Sequence, residues 1–150
     1  MFMKKIRLLL IPFATPAFDE AIRLRTDILR IPLGMEFYVE DIRAEFDQYH
    51  LGAYEVGGEL VGCLSLLPYG KGAIKMRQVA VRENVQGAGI GRQMVEESEL
   101  IARQLGYTKM VLHARDVAVA FYKKLGYKKI GKMFEEVEIP HFKMEKKLSV

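Results

Sequence analysis

The chain of 150 residues has one cysteine, no tryptophan and three histidines, so it is poor in the residues that build disulfide frameworks and metal sites. A lone cysteine excludes an internal disulfide and any multi-cysteine site, and His50, His113 and His141 lack the short paired spacing of zinc ligands. No metal is expected. Long hydrophobic runs are missing too: no segment approaches the about 20 apolar residues of a membrane-spanning helix, so no membrane partner is expected. Met1 to Ile11 carries a lysine pair and a short apolar run, but Pro12 and Pro16 follow, without a small-residue cleavage site. It reads as a first strand, in a cytoplasmic protein.

Repeats, low-complexity tracts and Pro/Ser-rich linkers are also absent. This leaves a single domain over residues 1–150, large enough to bury roughly 70% of its unfolded surface. Neither sign of charge dominates, the net charge being +4. The densest basic groups, Lys123-Lys124, Lys128-Lys129 and Lys146-Lys147, lie beside apolar residues and read as solvated helix and strand faces. No nucleic-acid partner is expected; the positive excess would suit an anionic cofactor.

What is present is an alternation of helical and strand patterns. Ile6 to Ile11 reads as a strand, Ala17 to Leu29 as an amphipathic helix, and Val39 to Gln48 as a second helix. Tyr54-Glu55-Val56 and Leu60 to Leu67 flank Gly57-Gly58, a two-residue hairpin signal. In the strand after Pro68 to Gly72 the apolar phase slips, from Ile74 and Met76 at even positions to Val79 and Val81 at odd ones. Either a β-bulge near Arg77-Gln78 restores a single face, or the strand is buried on both faces. A helix follows to about Leu105, then a strand from Lys109 to His113. Asp116 can cap a short helix from Val117 to Leu125, and strands over Tyr127 to Phe134 and Phe142 to Leu148 complete the pattern. Strand, loop, helix and strand make a βαβ unit, whose ligands bind at the carboxyl ends of its strands.

The loop of that unit is Gln86-Gly87-Ala88-Gly89-Ile90-Gly91. Glycines admit a ligand close to the backbone, and the first amides of the following helix have no internal acceptors, so the loop suits a pyrophosphate. Spacing excludes two carriers. A Walker A loop needs Lys-Ser/Thr after its last glycine, where this chain has Arg92-Gln93; a dinucleotide fingerprint needs glycine where Arg92 or Met94 stands.

The spacing of Gln86, Gly89 and Gly91 resembles instead the Gln/Arg-x-x-Gly-x-Gly/Ala pyrophosphate loop of the GNAT N-acetyltransferase superfamily. Ala118-Val119-Ala120-Phe121-Tyr122-Lys123-Lys124-Leu125-Gly126-Tyr127 is similar to the Ala-x-x-Phe-Tyr-x-x-x-Gly-Phe/Tyr segment that follows that loop. Ile139-Pro140-His141-Phe142-Lys143-Met144 resembles the last strand of a small single-domain subgroup, and Arg25 to Leu33 resembles its first helical region. The resemblance implies an α/β (α+β) fold: a mixed, mostly antiparallel sheet with a central parallel β-α-β unit and flanking helices. It implies an acyltransferase that moves acetyl from acetyl-CoA directly to a primary amine of a small molecule or peptide, through a ternary complex. A non-catalytic acyl-CoA-binding regulatory module is the alternative.

On that resemblance, the backbone of Val79, Ala80 and Val81 pairs with the pantetheine arm. Gln86, Gly87, Ala88, Gly89, Ile90, Gly91 and Arg92 hold the pyrophosphate, and Tyr122 points at the CoA sulfur. A phenol suits the protonation of a leaving thiolate. An ammonium acceptor needs a base, and Glu138, His141, His113 or a water relay are the candidates, with Glu138 and His141 preferred. Arg115 departs from the family, whose members often carry Asn or Gln there; it reads as a solvated, phosphate-binding or carbonyl-capping residue. Cys63, in an apolar strand, reads as structural. Arg25, Arg30, Glu36 and Glu40 could line the acceptor site or a solvated face, and the last strand could pair between subunits of a homodimer.

Overall fold

In this computed structural model residues 5–149 are described; Met1 to Lys4, part of the expected first strand, lie outside them. Thr15 opens the first helix, accepting a 3.2 Å hydrogen bond from the Phe18 amide, with Pro16 in the first turn where its missing N–H costs nothing. That helix, α1 (Pro16–Arg25), buries Phe18, Ala21 and Leu24 along one stripe. It then widens into a π turn, Thr26–Arg30, where the Thr26 hydroxyl donates to the Ile22 carbonyl at 2.7 Å. A 3-10 turn, Ile31–Leu33, ends at Gly34 in the left-handed region. The expected long second helix is only α2 (Val39–Arg43); the chain turns after Ala44 and sends Glu45 inward to Arg25.

The remaining elements are β1 (Ile6–Leu10), β2 (Tyr49–Glu55), β3 (Leu60–Pro68), β4 (Ala73–Val81), α3 (Ile90–Gln104), β5 (Lys109–Arg115), α4 (Val119–Lys124), β6 (Lys128–Glu136) and β7 (Ile139–Lys147). The strands form one seven-stranded sheet in the order β1-β2-β3-β4-β5-β7-β6. Every neighbouring pair is antiparallel except β4 and β5, joined through α3 as the βαβ unit. The expected fold class is the observed one. The β2–β3 hairpin is wider than Gly57-Gly58 implied: Glu55 and Glu59 still pair by backbone, and Gly58 takes φ +92°. Asp116 caps no helix: it is the first residue of a 3-10 turn, Asp116–Ala118, and its carboxylate accepts from the adjacent Val117 amide at 2.9 Å, while the helix that follows has no side-chain cap.

Two apolar clusters face opposite sides of the sheet. Leu51, Ile74, Met76, Met110 and Met144 pack under Ile90, Met94 and Val95 of α3 and Val119 and Tyr122 of α4. Ile11, Leu60, Cys63 and Ala80 pack under Phe18, Ala21 and Leu24 of α1. Gly62 is the point where α3 comes closest, since an added Cβ would stand 3.0 Å from the Met94 sulfur. β7 lies between β5 and β6, so the last strand has no free edge for pairing between subunits; the sheet edges are β1 and β6. Among the described residues no helix is long and apolar enough to cross a membrane.

Candidate active site

The phase slip in β4 is a bulge. Gln78 has φ +56°, and Gln78 and Val79 together stand opposite the single Leu64 of β3. The extra residue returns Val79 and Val81 to the core face that holds Ile74 and Met76. It also ends the parallel ladder: β4 and β5 pair from Ala73↔Lys109 to Met76↔Leu112, after which β5 continues only against β7. The edge of β4 from Arg77 to Val81 that faces β5 therefore has no partner strand. A cleft of about 440 Å³ opens there, with Val79, Ala114 and Tyr122 among its lining.

Beyond β4, the Gln86 side chain donates to the Val81 carbonyl at 2.9 Å, tying the loop to the strand end. Gly87 and Gly89 both take φ +84°, a conformation side chains disfavour, and no side chain caps the first turn of α3. The amides of that turn are left for a ligand. Ile90 contributes only its amide, because its side chain is in the core. Arg92 is exposed and pairs with Glu96 across one turn at 3.5 Å. Phe121 touches the position a Gly91 Cβ would take, 3.4 Å away, so α4 packs against the start of α3.

That packing sets Tyr122. Its ring is nearly enclosed, edge-on to Phe121 at 5.0 Å and to Tyr127 at 5.7 Å, and burial pushes its phenol up to about 12. Among the described residues its hydroxyl has no hydrogen-bond partner, though those of Tyr127 and Ser98 do. Cys63 does not line the cleft, and burial also raises its thiol to about 12, which leaves it unreactive.

The polar end of the cleft is built by β5, β6 and β7. Glu136 Oε1 lies 3.0 Å from His113 Nδ1, and its Oε2 is 3.8 Å from His141 Nε2. Burial alone would raise the Glu136 carboxyl, but the His113 hydrogen bond and the charges of His113, His141 and Lys75 outweigh it and hold it below its ordinary value. His141 is buried at 4% exposure, stacks on Phe134, and has Nδ1 2.8 Å from the Ile139 carbonyl. Nδ1 must donate to that carbonyl, so the neutral ring keeps its lone pair on Nε2, facing Glu136. Glu138, the other expected base, sits exposed in the β6–β7 turn at φ +62° and does not line the cleft. Glu136 lines it instead. The hairpin turns on Val137-Glu138, which puts Glu136 on the same face as Phe134 and hence beside His141, a deduction open to the sequence once the turn is located. Arg115 is half-buried in the lining rather than solvated.

Residues 35–148 match the acetyltransferase (GNAT) domain family. The chain belongs to that family. This GNAT chain is 28% identical to an uncharacterised N-acetyltransferase of Chlorobaculum tepidum over 96 residues, 64% of this chain and 59% of that protein. The matched segments span about half the length of the curated relatives, 51% for an uncharacterised Bacillus subtilis protein 33% identical over 75 residues, half of this chain. Its fold superposes on a presumed N-acetyltransferase of Lactobacillus plantarum with a TM-score of 0.86, at 25% identity, covering 97% of this chain and 100% of that one. It shares the fold of a Bacillus subtilis acetyltransferase solved in complex with CoA, at 21% identity and a TM-score of 0.73, covering 97% and 100%.

Proposed function

We propose that the chain is a cytoplasmic, acetyl-CoA-dependent N-acetyltransferase that moves the acetyl group directly to a primary amine of a small molecule or peptide, with donor and acceptor bound together. The observation that carries this reading is the strandless edge of β4 from Arg77 to Val81, which leads from the Tyr122 cleft to the uncapped start of α3. An extended pantetheine arm can pair with such an edge as an added strand would, while its pyrophosphate rests on the α3 amides. A relative of the same fold holds CoA, which supports the donor.

The amine lone pair attacks the thioester carbonyl, and a backbone amide of the bulged strand, Val79 or its neighbour, stabilises the oxygen as it becomes anionic. Collapse breaks the carbon–sulfur bond. The departing thiolate takes the Tyr122 proton, and the proton released by the amine goes to His141 Nε2, where Glu136 faces the imidazolium formed. Solvent returns that proton to the phenolate, so the balance is thioester plus amine to amide plus thiol. A phenol at about 12 would be a poor donor to a free thiolate, near 8.5. A thiolate shielded from water beside Tyr122 is a stronger base than a free one, so burial moves proton donor and acceptor in the same direction.

Thiol release from acetyl-CoA across a panel of amines tests the proposal, with equimolar thiol and acetylated amine expected. Stoichiometric acetyl-CoA binding with no thiol from any amine would make the chain a non-catalytic acyl-CoA module instead.

A further inference from the structure

The cleft lining holds four basic side chains, Arg30, Lys75, Arg77 and Arg115, and one carboxylate, Glu136. Several cations elsewhere in the chain are paired with carboxylates: Arg25 with Glu45 at 2.7 Å, Arg82 with Asp27 at 2.8 Å, Lys146 with Glu99 at 2.9 Å. Among the described residues none of the four cleft cations has such a partner. Arg77 donates to the neutral Gln48 amide at 3.3 Å, and Lys75 lies 3.3 Å from His113 Nδ1. Arg30 stacks on Phe37 at 4.2 Å and donates to its neighbour's carbonyl, Leu29, at 3.2 Å. Among the described residues the Arg115 side chain has no hydrogen bond or ion pair. Burial, then the charges of Arg25, Arg115 and Arg77, lower the Arg30 guanidinium, with Glu136 alone opposing.

The charge is not there for the pyrophosphate, since none of the lining comes from Gln86 to Arg92. It surrounds the place where the acceptor meets the thioester. We infer that the acceptor amine also carries a carboxylate, received by Arg30, Arg77 and Arg115 at the polar end of the cleft. Guanidinium forks match a carboxylate by two parallel hydrogen bonds, and a carboxylate would relieve the mutual repulsion of the three. The same cations disfavour the ammonium form of the amine, which aids its deprotonation at His141. Polycationic acceptors are disfavoured for both reasons.

This inference rests on the acyltransfer reading, and its test separates the two. α-Amino acids and their carboxamides, which offer the same amine with and without the anion, are compared as acceptors in thiol release and as ligands of the CoA-bound protein by thermal shift. The amino acids should win in both assays. Arg115→Gln should raise their KM by about 10- to 100-fold and that of the amides far less, and Arg115→Lys should restore part of the loss. Acetylation that proceeds equally well with amides, or better with polyamines, overturns the inference and leaves the acyltransferase standing. No turnover with any amine sinks the acyltransferase, and carboxylate-dependent binding in the thermal shift would then still uphold the anion site. Equal shifts for acids and amides overturn it.

Discussion

Burial pushes the Tyr122 phenol up to about 12, which keeps it protonated through any pH at which an enzyme is assayed. Tyr122 should therefore give no alkaline limb below pH about 11; a fall in kcat with an apparent pKa near 10 would contradict its assigned environment. Tyr122→Phe should lower kcat by about 10²-fold or more while acetyl-CoA affinity holds, read by turnover and by calorimetry. At the other end of the cleft, His141→Gln should lower kcat/KM by about 10²-fold. Glu136→Gln should lower kcat/KM about 10-fold, because the imidazolium loses the carboxylate that faces it, and Glu136→Asp should recover part of the loss. That Tyr122 and His141 line the cleft was within reach of the sequence because a motif surrounds each. Glu136 was not, since the choice among Glu135, Glu136 and Glu138 depends on which two residues form the turn, and Val137-Glu138 carries no glycine or asparagine to mark it.

At the scale of elements, that turn is strained. Val137 and Glu138 take φ +47° and +62°, the positive values a two-residue hairpin demands and a β-branched side chain resists. Replacing the pair by Asn-Gly should raise the unfolding free energy by about 1–3 kcal/mol in urea melts; no gain would mean the strain is not there. The bulge at Gln78 is the element on which the cleft depends. Deleting Gln78 should let the β4–β5 ladder run past Met76, abolishing acetyl-CoA binding, whereas Gln78→Gly should keep it. The slip from Ile74 and Met76 to Val79 and Val81 made this bulge visible as one of two readings. Other elements were misjudged for identifiable reasons. Val39 to Gln48 has helical spacing, yet Val39 and Phe46 are 59% and 69% exposed and Glu45 turns inward, so Ile42 packs under α1 without neighbours on its stripe to prolong the helix. The π turn at Thr26–Arg30, which brings Ile28, Leu29 and Arg30 to the cleft, leaves no trace in a 3.6-residue periodicity.

Across the whole molecule, the fold was legible from order and spacing: a βαβ unit with a glycine loop, then strands that can close only as antiparallel neighbours. The partners of the first helix were not, because they are polar and distant in sequence. Arg25 forks onto Glu45, whose carbonyl lies 3.1 Å from His50 Nε2, and His50 Nδ1 is 2.8 Å from the Ser65 hydroxyl, all four residues being buried. This network joins α1 to β2 and β3. Burial, outweighing the Glu45 carbonyl and charge, lowers the His50 imidazole in the folded state. The unfolded chain, with an ordinary value near 6.5, thus binds more protons below that pH, so His50 contributes stability above it that is lost as pH falls. Unfolding free energy measured from pH 7 to 5 should decline, and decline less in His50→Gln. The proposed donor seat runs from the β4 edge to the start of α3, and peptide-resolved amide hydrogen exchange with saturating acetyl-CoA tests it most directly. Protection should rise at Val79 to Val81 and at Gln86 to Arg92; bound acetyl-CoA that leaves both segments exchanging as before would contradict it.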